Sequence, residues 1–264
     1  MLRPPDWLLY PLRTWRRRRL LAQPFPPAWE PHLARLPFYE RMEPTSRQRL
    51  RDDLRILIAE KNWEGCGGLV LTDEMRVVIA ATAALLLLGL DHDHYQRVSS
   101  ILVYPSGWRV PGRMSPSGEL QGERRHLGEA WQQGPVVLAW DAARSGSFDP
   151  KDGHNLVLHE FAHQLDFMDG IADGRPPLRA STDARTWRET LQREFEALTA
   201  ADERGKKTLL DPYGATNPAE FFAVATECFF ERGPSLLARH PALYDELRRY
   251  YGQDPAGRAS TPGV

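Results

Sequence analysis

The chain has 264 residues, with 34 Lys and Arg against 35 Asp and Glu and a formal net charge of -1 at pH 7. That length suits one sizeable catalytic domain or two small ones, and the balanced charge gives no global pull toward nucleic acid or membrane. The two cysteines, Cys66 and Cys228, are too few for a disulfide framework or a thiolate zinc cluster, and they fit a reducing compartment.

Residues 1–45 differ in character from the rest of the chain. Pro24, Pro26, Pro27, Pro31 and Pro37 break any long helix, and the block Arg16 to Arg19 follows apolar Trp7 to Tyr10 where a secretory signal would place its cleavage site. The expectation is a solvated, partly disordered arm, with attraction of the arginines, Trp7 and Trp15 to an anionic surface as the weaker alternative. From 46 to 252 the pattern is that of one domain, and 253–264 reads as a flexible tail. Thr45 or Ser46 caps a helix to about Glu60, and a second runs from Glu74 to Leu90. Its apolar run, Val77 to Leu90, is too short to span a membrane, which makes a soluble cytoplasmic protein the expectation. Ser100 to Tyr104 and Pro135 to Trp140 have strand character between Gly and Pro boundaries. A helix over 151–168 is opened by Asp149 as N-cap and Pro150 at the first helical position. A polar helix over 183–203 and two more over 218–231 and 240–251 complete an α+β chain, mainly helical around a small sheet.

The helix over 151–168 carries His159-Glu160-Phe161-Ala162-His163. Residues four apart on a helix stand one above the other, so two imidazoles face one point, as two of the three protein ligands of a catalytic zinc do. Glu160 is placed to take a proton from a water at such a metal. HExxH is short enough to arise by chance, but Leu158, Phe161, Ala162 and Leu165 form an apolar stripe that would turn both histidines toward a cleft.

There is no third histidine at the HExxHxxGxxH position, where Asp166 and Asp169 fall instead. Three carboxylates compete for the third ligand. Asp166 is a turn beyond the metal on a short arm and suits a supporting role, holding a histidine or nearby backbone. Glu220 and Glu227 share one face of an otherwise apolar helix, and spacing alone does not separate them. Asn217 as N-cap gives Glu220 an alternative job in a capping box.

Three separated segments, Leu158 to Asp166, Tyr213 to Val224 and Trp131 to Leu138, resemble the Mlc titration factor A family over roughly residues 55 to 255. These are zinc-dependent bacterial peptidases whose catalytic core resembles that of anthrax lethal factor. The resemblance implies a zincin-type fold and one Zn2+ held by His159, His163 and Glu220. It further implies Glu160 as general base and Tyr213, seven residues before Glu220, as an aid to catalysis. Glu227 then becomes a supporting residue bonded to His159 or His163. The activity implied is cleavage of a peptide or protein substrate by an HExxH enzyme of the gluzincin type, with endo- or aminopeptidase action left open. The alternative is a binding protein that sequesters an Mlc-like transcriptional repressor with weak or no peptidase activity. The basic arm has no counterpart in that resemblance. Asp91-His92-Asp93-His94 reads as a solvated loop, His32, His126, His154 and His240 as isolated histidines, Cys66 as a turn residue and Cys228 as buried filling.

Overall fold

The computed structural model describes residues 6–90, 95–106, 135–149, 152–178 and 183–259. In chain order, α1 (Asp6–Leu21) leads through a 3-10 turn (Pro27–Trp29) to short helices α2 (Glu30–Ala34) and α3 (Pro37–Glu40), then α4 (Pro44–Glu60). Strand β1 (Asn62–Gly65), helix α5 (Asp73–Leu87) and strands β2 (Ser100–Tyr104) and β3 (Val136–Ala139) come after it. Next are α6 (Trp140–Phe148), α7 (Leu156–Asp166), α8 (Ala184–Asp202), α9 (Pro218–Glu231), α10 (Gly233–Arg239), α11 (Pro241–Tyr251) and α12 (Pro255–Ala259).

Helix α5 is the centre of the molecule. Its start is fixed by Thr72, whose hydroxyl accepts from the Met75 amide at 3.3 Å, with Asp73 and Glu74 in the first turn where the helix dipole favours acids. Val77 to Leu87 are buried on every side, as an all-apolar helix must be, and α2, α4, α6 and α7 pack around it. Thr82 and Ser147, the buried hydroxyls facing each other across α5 and α6, satisfy one another at 3.2 Å.

The three strands are parallel in the order β1-β2-β3, with Asn62 opposite Ser100 and Ile101 opposite Val136. Ile101, Val103, Val136 and Leu138 alternate inward onto the helices. β1 alternates only between exposed and half-buried residues and was not legible as a strand; it pairs along its length with β2. Gly65 ends it where a Cβ would stand 2.0 Å from the Leu69 carbonyl oxygen, so the turn beyond it admits only glycine. No described helix is long and apolar enough to cross a membrane.

Two expectations about the ends of the chain need correction. Within 1–45, Leu33, Leu36, Tyr39 and Met42 are buried in the common core, and Arg51 of α4 donates to the Tyr39 hydroxyl at 2.8 Å and pairs with Glu30. Pro27, Pro31 and Pro37 sit at the first turns of the 3-10 turn, α2 and α3, where a missing N–H costs nothing, so they start helices instead of preventing them. In the tail, Gln253 is buried and donates to the Leu85 carbonyl at 2.8 Å, while the Ala256 amide donates to the Tyr244 hydroxyl at 2.9 Å. The helix expected from 240 is α11, and it is preceded by a further short helix, α10, that the periodicity did not reveal.

Candidate metal centre

The start of α7 is not where Asp149 pointed. Asp149 closes α6, its amide donating to Ser145 O at 2.9 Å, and Pro150 lies outside the described residues. Asn155 is the cap: its Oδ1 accepts from the Leu158 amide at 3.1 Å. The sequence signal, an Asn directly before Leu156-Val157-Leu158, was present but was outcompeted by the Asp-Pro pair six residues earlier. From there Leu158, Phe161, Ala162 and Leu165 are buried as the stripe requires, and Val157, Gln164 and Asp166 are buried too. The helix is therefore enclosed nearly all round.

Helix α9 runs antiparallel to α7, capped by Asn217, whose Oδ1 accepts from the Glu220 amide at 3.0 Å. Glu220 thus stands at the capping-box position, yet its carboxylate is spent across the gap between the helices. Its Oε2 is 3.0 Å from His159 Nε2 and 3.3 Å from His163 Nε2, and the two Nε2 atoms are 3.2 Å apart. Ligand atoms about 2.0–2.1 Å from a tetrahedral zinc stand about 3.3–3.4 Å from each other. The triangle therefore has the size and the N2O donor set that such an ion takes. Among the described residues, His159, His163 and Glu220 are the one group of His, Cys and acidic side chains that could hold a metal.

Glu227, two turns along α9, accepts from His159 Nδ1 at 2.7 Å, which holds the imidazole by its Nδ1 proton and turns Nε2 toward the triangle. Burial works against charging His159, but Glu227 beside it and the bonds to Glu220 and Glu227 carry its pKa up to about 10. Glu220 is held well below the usual carboxylate range, against its burial, by the two histidines. Glu160, Glu220 and Glu227 around His159 favour a positive charge there, whether a proton or a metal ion.

Both ends of the α7–α9 pair are tied. At one end the Asn155 amide donates to Glu227 Oε2, and Asn155 Nδ2 donates to Glu231 Oε1 at 3.0 Å. At the other, Asp166 Oδ2 accepts from the Gly174 amide at 2.9 Å. Gly174 has φ +75°, and a Cβ on it would stand 2.4 Å from the Pro218 carbonyl oxygen at the start of α9. Asp166 therefore bonds to backbone and not to a histidine; it holds the loop after α7. Neither Asn155 nor Gly174 was singled out from the sequence.

Residues 12–252 match the model of the glucose-regulated metallo-peptidase M90 family. The chain belongs to that family. Among the relatives of this M90 member, an uncharacterized protein of Synechocystis sp. is 42% identical over 255 residues, which is 95% of this chain and 91% of the relative. A Mlc titration factor A of Serratia proteamaculans is 36% identical over 236 residues, 87% of this chain and 88% of its own. A Mlc titration factor A of Yersinia pestis is 34% identical over 228 residues, 84% and 83% of the two chains. The M90 match takes in most of the basic N-terminal segment, which the three motif segments alone had left without a counterpart.

The remaining site residues of this M90 protein lie close by. Glu160, 9% exposed, follows His159, and its carboxylate accepts no hydrogen bond from a described residue. Tyr213, on the 3-10 turn Pro212–Ala215 directly before α9, has its ring centroid 6.0 Å from that of His159. A cavity of about 380 Å³ lined by Ser145, Asp152, His154, Asp211, Tyr213 and Glu227 opens beside His159. His154 pairs with Asp211 at 3.4 Å on the wall of that cavity, and His240 pairs with Glu194 at 2.7 Å; neither histidine belongs to the triangle. Cys228 is buried and its thiol is pushed up to about 12 by that burial, which makes it inert at neutral pH. Asp91 to His94, His126 and the segment Trp131 to Gly134 lie outside the described residues.

Proposed function

We propose that this protein is a zinc-dependent peptidase of the cytoplasm that hydrolyses peptide bonds at the His159–His163–Glu220 triangle. The observation that carries the reading is the convergence of those three donor atoms within 3.3 Å of one another. Zinc held there supplies a Lewis acid that polarises a carbonyl and acidifies a water. Glu160 is the general base: it takes the proton of the attacking water and passes it to the leaving amine. Tyr213, on the His159 side of the cleft, donates its phenol proton as a hydrogen bond to the oxygen that becomes negative during attack. Glu227 keeps His159 in the tautomer and orientation that present Nε2, and Asp166 keeps the loop after α7 against the start of α9. β3 is an edge strand among the described strands, and an extended peptide adding to it would lie next to α7.

Elemental analysis of the purified protein tests the donor set. One zinc per chain is expected, lost in Glu220→Ala; zinc loss in Glu227→Ala with retention in Glu220→Ala would assign the third ligand to Glu227 instead. The open matter of endo- or aminopeptidase action is read from the same protein by blocking the amino terminus of a cleaved peptide.

A second reading is favoured by the relatives named for titrating Mlc: binding of a transcriptional repressor, with or without cleavage. Capture of the repressor by both wild type and Glu160→Gln would support binding, because the base has no part in it.

A further inference from the structure

Helix α1 divides its arginines between two faces. On the inner face Arg17 makes a two-pronged pair with Glu60 of α4, at 2.6 and 2.7 Å, and Arg55 of α4 donates to the carbonyls of Leu20 and Gln23. On the outer face Leu12, Trp15, Arg16 and Arg19 recur at i, i+3, i+4 and i+7, with Arg18 on the flank. Leu12 is 45% and Trp15 55% exposed, one turn apart, and they are two of the few large apolar side chains left in water. Arg16 and Arg18 have no side-chain partner among the described residues, and the Arg19 guanidinium lies 5.7 Å from the centroid of the Trp15 ring. No acidic residue occurs between Asp6 and Glu30, in a chain whose overall charge is -1.

We propose that this outer face docks the protein on an anionic phospholipid surface, with Leu12 and Trp15 entering the headgroup layer and Arg16, Arg18 and Arg19 pairing with lipid phosphates. An apolar centre flanked by cations is the pattern of a helix lying in a membrane interface, and tryptophan favours the headgroup level. A nucleic-acid backbone would use the arginines but leave Leu12 and Trp15 without a partner. A second copy would bring two basic faces together, which repel. The inner-face anchorage to α4 holds the helix ready, so docking needs no folding on the membrane.

The test is co-sedimentation of the full chain with vesicles of phosphatidylcholine alone and of phosphatidylcholine mixed with phosphatidylglycerol. Binding to the mixed vesicles only, weakened by salt, is expected. Leu12→Ser with Trp15→Ser should lower the affinity about tenfold or more, since two exposed apolar side chains lose their burial. Arg16→Gln, Arg18→Gln and Arg19→Gln together should lower it roughly a hundredfold. Equal binding to neutral vesicles, no binding to either, or an affinity unmoved by the Leu12/Trp15 substitutions would overturn the proposal. Tighter binding to duplex DNA or RNA with the same arginine dependence would assign the face to nucleic acid and overturn it as well.

Discussion

His159 is bonded on both nitrogens, and that double commitment makes its carboxylate partners separable. Glu220 shares the triangle, whereas Glu227 only orients the ring. Glu227→Ala is therefore expected to keep a metal but bind it roughly 10–100-fold more weakly, the usual cost of losing a partner behind a ligating histidine. Competition with a chromogenic chelator measures it; unchanged affinity would remove Glu227 from the site. Glu231 offers a pH test. Its burial pushes its carboxyl up to about 8, against the hydrogen bond from Asn155. Its folded pKa exceeds its unfolded one, so the stability it contributes is full below about 4.5 and is lost as pH rises through about 8. Glu231→Gln should flatten that fall relative to wild type in urea unfolding followed across this range. A steeper fall in the variant would contradict the assignment. HExxH and the candidate Glu220 were legible residue by residue, because helical spacing alone brings side chains four apart together. The choice of Glu220 over Glu227 was not, since both share one face of α9 and only the crossing of α7 decides which reaches the histidines.

At the scale of elements, the α7–α9 pair depends on clasps that sequence periodicity cannot display. Gly174 is one: its backbone is left-handed, and a side chain would meet the Pro218 carbonyl, two residues before Glu220. Gly174→Ala should cost about 1–2 kcal/mol from the left-handed strain alone, more if α9 is pushed away. Zinc affinity should fall along with the urea midpoint. A variant with wild-type values for both would show that this contact does not position α9. Helices α4, α8, α9 and α11 were readable to within a few residues, because each pairs a cap or first-turn proline with an apolar face, and α5 was readable from its unbroken apolar run. β1 and α6 were not. Asn62-Trp63-Glu64-Gly65 offers a single apolar side chain, too short an alternation to mark a strand, and Trp140 to Phe148 mixes Gly, Ser and Asp, so both owe their form to neighbours in space. The same limit explains the shift of the α7 start from Asp149 to Asn155: a sound local cap signal was used to end α6.

For the molecule as a whole, the segment before α4 is part of the core. Leu33, Leu36, Tyr39 and Met42 are nearly or wholly buried, and at roughly 1.5–3 kcal/mol each their loss would rival the whole stability of a domain. A chain beginning at Pro44 should not fold cooperatively; a sharp urea transition with native-like circular dichroism would contradict this. Three of the prolines that argued for a loose arm start helices, and the four buried side chains, though three residues apart, are spread over two short helices and the turns beside them and form no single helical face. Two clasped helices hold three ligands so that Glu160 can act as base. The most direct measurement is peptide cleavage by wild type and Glu160→Gln at equal zinc content. Chelator-sensitive cleavage by wild type and a loss of about 10²–10⁴-fold in the variant are expected. Comparable cleavage by the two, or cleavage that survives removal of zinc, would contradict that mechanism.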